Sequence, residues 1–253
     1  MSDGLEYDGE IADQPDTSAP APPPSDRTRV RRLPKRGRYD RASLDAVLDA
    51  GVIAHVGWTG EDGQPYATPT IAWRVGDRLY WHGSSASRMV RQTQGIPVCV
   101  TVTLLDGYVM ARSGFNHSVN FRSAMVLGTA HLVTDPTEVD ATLEAFIEGL
   151  YPGRWAQLRP MTPSERKATT VLWMDLNEAS AKVRAEENHD DDGDETWPAW
   201  GGVIPLRVVA DEPEPDPHVP VDIAPPAFRL PGVRREAAQG RQAARARQAA
   251  REP

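Results

Sequence analysis

At 253 residues, with 40% apolar residues and a net charge of −8, the chain is long enough for one large domain or two small ones. Its single cysteine, Cys99, excludes a disulfide framework and a thiolate metal site. The lack of a signal peptide and of any run of about 18 apolar residues predicts a soluble, cytoplasmic protein.

Charge and proline are unevenly spread. Residues 1–26 hold Pro15, Pro20, Pro22, Pro23 and Pro24 with few large apolar side chains, the composition of a disordered tail. Residues 27–41 carry eight Arg or Lys against one acid, Asp40. Residues 186–195 carry seven acids and no Lys or Arg, the pattern of a solvated loop. Residues 211–226 are acidic and proline-rich, which predicts an extended linker. Residues 229–253 then carry seven arginines against two glutamates. These shifts delimit an N-terminal tail at 1–26, a domain at 27–210, and a linker with an Arg/Ala-rich tail at 211–253. The Arg-rich end, with a potential helix at Glu236–Arg251, invites nucleic acid, but no groove-reading module accompanies it. Neither nucleic acid nor a membrane is therefore an expected partner.

In chain order, Leu44, Val47 and Leu48 share one face of a short helix over 40–51, capped by Asp40 or Ser43 and stopped by Gly51. The period then changes from about 3.6 to about 2. Residues 52–58 read as a strand, Asp62-Gly63 as a turn, 66–73 as a second strand, and Leu79–His82 as a third after Gly76-Asp77. Pro69 lacks a ladder donor and belongs on an edge or at a bulge. A helix over 84–94 follows. Residues 96–105 and 108–112, around Asp106-Gly107, form the clearest hairpin. Residues 123–133 make one long strand bent at Gly128. Pro136 opens a helix to Leu150 whose apolar face carries Val139, Leu143, Phe146 and Ile147. A helix over 163–170, a strand at 171–176 and a last strand at 200–206 complete the domain. Cys99, between Val98 and Val100, reads as a buried, inert thiol. Six or seven strands joined mainly by hairpins pair antiparallel and must close or stack to hide their edges. The fold class is mainly β: a small barrel with a few helices.

The six histidines (55, 82, 117, 131, 189 and 218) show no metal-ligand spacing. No G-x-S-x-G elbow, P-loop or G-x-G-x-x-G after a strand is present. What remains suits a phosphate and a flat ring. His82-Gly83-Ser84 ends a strand and Ser87-Arg88 opens a helix, so hydroxyls, backbone N–H groups and a fixed charge converge there. Ordinary serine capping beside a surface arginine has the same pattern. Asn120-Phe121-Arg122-Ser123 sets a second arginine and hydroxyl at a strand mouth, equally readable as an exposed arginine. Thr68-Pro69-Thr70 offers an interrupted edge along which a ring can lie. Trp200, followed by Gly201-Gly202, is either a core aromatic or a ring with one free face. Lys182 and Arg184 face one site or water, with water the simpler reading.

Four segments in this order resemble the pyridoxamine 5′-phosphate oxidase-like FMN-binding split-barrel superfamily, its nitroimidazole-reductase (Nim-type) and flavin-nucleotide-binding branch above all. They are Leu79–Ser84, Phe121–Ala130, Tyr151–Trp155 and Ala179–Arg184. The resemblance implies a six-stranded antiparallel split barrel and a homodimer with FMN at the subunit interface. Thr68, Pro69 and Thr70 would then lie along the isoalloxazine. His82, Gly83, Ser84, Ser87 and Arg88 would hold ribityl and phosphate, with Arg122 and Ser123 near the same site. Phe121 replaces the family's usual tyrosine, and Arg88 stands where many relatives have lysine. Trp200 would cover the flavin from the partner subunit. The implied function is flavin-mediated hydride or electron transfer to a small acceptor, nitroaromatic or quinone-like. The alternative is a non-catalytic carrier or sensor on the same barrel, with flavin, deazaflavin or haem as its ligand. The Arg-x-His run of the true oxidases is absent, which disfavours vitamin B6 oxidation.

Overall fold

Alternation of apolar and polar residues between 53 and 129 commits this stretch to long strands, and one helix ahead of it fills the space they enclose. The computed structural model describes residues 21–220 and 222–228; residues 1–20 and the Arg/Ala-rich stretch 229–253 lie outside them. The elements are β1 (Gly37–Arg38), α1 (Arg41–Ala50), β2 (Ile53–Thr59), β3 (Pro65–Val75), β4 (Arg78–Ser84), α2 (Arg88–Gln92), β5 (Pro97–Met110), β6 (Ser118–Thr129), β7 (His131–Leu132), α3 (Pro136–Leu150), α4 (Pro163–Ala168), β8 (Thr169–Asp175), β9 (Ala179–Arg184) and β10 (Gly202–Pro205). The sheet runs β1-β9-β6-β5-β2-β3-β4-β8-β7, with β10 added to β5, and every pair is antiparallel. Its end strands, β1 and β7, do not pair with each other, so the barrel is split rather than closed.

The inner faces of these strands bury Val56, Trp81, Val100, Val102, Val126, Leu172 and Met174. Leu44, Val47 and Leu48 of α1 plug the same core. Asp40 caps α1 by accepting from Ser43 N at 2.8 Å. Gly51 caps its end in extended conformation, where a Cβ would clash with Val102 Cγ1.

The structure differs from the sequence expectation at several places. Asp106-Gly107 is no hairpin. It is a bulge inside the single strand β5, where the pairing shifts between Leu105 and Gly107. Gly107 does not take the positive φ of a two-residue turn, and a Cβ on it would meet Ile204 O of β10 at 3.0 Å. The chain reverses at residues 111–117 instead. The 84–94 helix shortens to α2, because Ser84–Ser87 forms a turn closed by Ser87 N donating to Ser84 O. The 123–133 strand breaks at Ala130 rather than bending at Gly128. Among the described residues, ten strands exceed the six or seven expected, since Ala179–Arg184 forms β9 and short strands flank the barrel. Arg184 is 5% exposed, not turned to water, and its Nη1 donates to Asn120 Oδ1 at 2.6 Å.

Most of the acidic 186–195 stretch is exposed, as expected of a solvated loop, but two of its acids are engaged by arginines. Asp190 accepts from Arg112 N at 2.7 Å and from its Nη1 at 2.5 Å, and Glu186 pairs with Arg36. The described residues just before and after position 26 contact the domain. Ser25 Oγ donates to Glu178 Oε2 at 2.6 Å, and Thr28 is 1% exposed.

Candidate functional site

β3 pairs with β2 along its length, from Ile53 opposite Ile71 to Thr59 opposite Pro65. It pairs with β4 only over Ala72–Val75, opposite Arg78–Trp81, whereas β4 stays paired with β8 from Arg78 to Ser84, so 82–84 have no β3 partner. A cleft therefore opens between residues 65–71 of β3 and 82–84 of β4. Ala72 N donates to Val52 O on the β2 side, so alternation turns the nitrogen of Pro69 toward the cleft. No donor is needed there. Pro69 sits on the unpaired half of β3, as its chemistry requires. Thr70 Oγ1 donates to His82 O at 3.2 Å across the cleft's closed end, and Thr68 Oγ1 accepts from Trp58 Nε1 at 3.1 Å.

His82 alternates with Trp81, which is wholly buried inside the barrel, and so projects onto the outer face with Trp73 and Tyr80. α3 covers that face with Val139, Leu143 and Phe146. The imidazole lies 5.7 Å from the Trp73 ring and 6.1 Å from Phe146. Its Nδ1 is buried, with no hydrogen-bond partner among the described residues. Burial lowers its pKa, so the ring is neutral near neutral pH. The imidazole is thus neutral and keeps a lone pair that no protein hydrogen bond uses, with Nδ1 itself enclosed by protein.

Ser84 and Ser87 flank the cleft's other lip, but the turn already uses part of their capacity. Ser84 Oγ accepts from Ala86 N at 3.2 Å, and Ser87 provides no side-chain cap to α2. α2 has five residues, too few for a sizeable dipole, so any anion held here depends on hydroxyls and on Arg88. The Arg88 guanidinium lies 4.3 Å over the Tyr66 ring and donates to Tyr66 Oη at 3.2 Å. Tyr66 stacks in turn on Trp58 at 4.6 Å. Gly83, between His82 and Ser84 on β4, has no room for a side chain: a Cβ would sit 2.7 Å from Val90 Cγ2.

The other expected residues lie elsewhere. Arg122 is held by Asp106 through two bonds of 2.8 and 2.9 Å, which raises its pKa. Ser123 is three strands from β3, with its Oγ 3.5 Å from Lys182 O. Trp200, 61% exposed, precedes the β10 residues that pair with Met110. Pro69, by contrast, reaches β5 through His55 at Thr101. Nine residues of β5 separate the two rows, about 30 Å. One copy of the chain thus brings together Thr68, Pro69, Thr70, His82, Gly83, Ser84, Ser87 and Arg88, but not Arg122, Ser123 or Trp200.

Sequence reasoning missed Tyr66, Trp73, Thr142 and Phe146. The helical spacing flagged Phe146 only as core, and nothing local marks the other three. It also missed the bare outer face of β2, β5 and β10. Ile53, Leu105, Tyr108 and Ile204 are exposed there, and an open groove of about 500 Å³ runs past Gly57, Cys99 and Leu127. Among the described residues, no cluster of three His, Cys, Asp or Glu could hold a metal ion, and no helix is long and apolar enough to cross a membrane.

A split antiparallel barrel whose parted strands carry a neutral histidine and a serine–arginine lip defines the class. The family model described as pyridoxamine 5′-phosphate oxidase matches residues 40–183, and the chain belongs to that family. Among solved structures it is similar to the flavocytochrome Anf3 from Azotobacter vinelandii, with 46% identity over 82% of this chain and 99% of that one, at a TM-score of 0.77. It is also similar to the FAD and heme binding protein from Mycobacterium smegmatis, with 36% identity over 76% of this chain and 94% of that one, at a TM-score of 0.71. Curated proteins offer no match.

Proposed function

We propose that this chain is a cytoplasmic redox protein that binds a flavin and haem and works as a homodimer on a small acceptor, nitroaromatic or quinone-like. The observation that carries the reading is the cleft where β4 leaves β3, with its unpaired edge and the unpartnered nitrogen of His82. Similarity to a flavocytochrome and to a FAD and heme binding protein supports the same pair of cofactors.

The residues present fit both groups. The Thr68–Thr70 edge accepts the flat ring of a flavin, FMN or its adenine dinucleotide, and Ser84, Ser87 and Arg88 receive its phosphate end. His82 offers a neutral nitrogen for haem iron among Trp73, Phe146 and Ile71, surroundings that suit an apolar macrocycle. Bound flavin supplies hydride or electron transfer, and haem supplies one-electron chemistry. The chain's own part is to hold and shield. Burial keeps His82 unprotonated, and Tyr66 keeps the Arg88 charge at the lip. Arg122, Ser123 and Trp200 reach a cleft only if a second copy provides them. The exposed Ile53, Leu105, Tyr108 and Ile204 make a fitting face for that copy.

The test is an absorption spectrum of the protein as purified and after addition of FMN, FAD and ferric haem. Flavin bands together with a Soret band are expected, and chromatography of the released flavin separates FMN from FAD. A colourless protein that takes up neither group overturns the proposal. Steady turnover of a quinone or nitroaromatic by the reduced protein separates an oxidoreductase from a carrier or sensor.

A further inference from the structure

The covered face of α3 contains one hydroxyl that packing alone does not explain. Thr142 is 4% exposed and stands among Val139, Leu143 and Phe146. Valine would fill the same space without burying a polar atom. The hydroxyl has a single use: its Oγ1 accepts from Trp73 Nε1 at 2.9 Å. That bond fixes the indole, which packs on Phe146 at 5.0 Å and stacks on Tyr80 at 6.2 Å. The same indole and Phe146 are the rings that contact His82.

Metal-binding imidazoles are usually oriented by a hydrogen bond from their second nitrogen to an acceptor. No hydrogen bond to a described residue holds the His82 ring at either nitrogen, so ring packing sets its plane. We propose that Thr142 is a positioning residue for His82: through the Trp73 indole it fixes the orientation of the imidazole that faces the cofactor. The inference rests on the reading of His82 as the haem-facing residue. It deepens that reading by locating the control on a helix outside the barrel. Without the hydroxyl, the indole N–H has no partner, Trp73 turns, and the imidazole loses its stop.

The test uses the full chain carrying Thr142→Val, which keeps the shape, and Thr142→Ser, which keeps the hydroxyl. Two readouts apply. One is the His82 imidazole C–H resonance, assigned by its loss in His82→Gln. The other is the affinity for ferric haem by optical titration. Thr142→Val should shift the resonance and weaken haem binding by about tenfold, the lower end for loss of an outer contact to a ligand. Thr142→Ser should restore both. Trp73→Phe, which leaves the α3 sequence unchanged and removes the indole N–H, should reproduce the Thr142→Val shift and serves if that variant does not fold. An unmoved His82 resonance in Thr142→Val or Trp73→Phe, or no rescue by serine, overturns the inference. If the wild-type chain takes up no haem while the resonance still responds and serine still rescues it, the haem reading fails and the positioning of His82 stands.

Discussion

Over β3, β4 and β8 the outer face of the sheet lies beneath α3, and Trp73, Tyr80 and Val171 are buried there. Over β2, β5 and β10 the outer face carries Ile53, Leu105, Tyr108 and Ile204, each between 44% and 52% exposed. Both halves are built from alternating strands with β-branched and aromatic residues pointing outward. What separates them is a helix that folds back over one and not the other. The covered half can hold a histidine neutral and oriented. The bare half has apolar surface left for another molecule, which is why a second copy fits the proposed dimer.

The largest test of this contrast removes volume from each half. Leu143→Ala beneath α3 should lose about 3 kcal/mol in urea unfolding, as deletions in well-packed cores do. Ile53→Ala on the bare half should stay within about 0.5 kcal/mol when measured on the monomer. Equal losses would mean that the bare face is already covered in the single chain. Next in size, Tyr108→Asp combined with Ile204→Asp should weaken a dimer at least tenfold, about 1.4 kcal/mol, by sedimentation at several concentrations. An unchanged mass distribution would remove the second copy from this face.

A smaller effect is expected at the bulge. Asp106→Ala leaves Arg122 without its carboxylate, and because both partners are one-third exposed the loss should be about 0.5–1 kcal/mol. A much larger loss would show Asp106 to be structural in a way its ion pair does not explain. The mildest test is pH. His82 has a folded pKa below the ordinary value of about 6.5, so the unfolded chain takes up the proton first. The stability this residue contributes is full above about pH 6.5 and is lost as pH falls toward the folded pKa. Thermal midpoints should therefore drop less between about pH 7.5 and 5.5 in His82→Gln than in the wild type. Parallel profiles would show His82 to be hydrated, contrary to the covered half.

Much of the fold was legible because its signals are local. Asp40, Leu44, Val47 and Gly51 delimit α1, and Val139, Leu143 and Phe146 mark α3 at helical spacing. The turns at Asp62-Gly63 and Gly76-Asp77 separate β2, β3 and β4 as expected, with Gly63 and Gly76 at positive φ. The Asp106-Gly107 pair carries the same local signal, yet β10 lies against Gly107 and Arg122 claims Asp106, so the strand continues through a bulge. For the site, the Thr68–Thr70 edge and the His82–Arg88 lip came from neighbouring residues along the chain. Tyr66 under Arg88 and Trp73 beside His82 came from strands that meet only once the sheet forms.

Periodicity, caps and glycine turns thus determine most elements and mark His82 as a residue at a strand end beside a polar lip. Tertiary structure alone decides that β4 parts from β3, that α3 covers one half of the outer face, and that Arg122 and Arg184 are already engaged. The reason is range. A turn or a helix face is fixed by residues a few positions apart. The partner of a buried imidazole or guanidinium stands on another strand or helix, and no spacing along the chain encodes it.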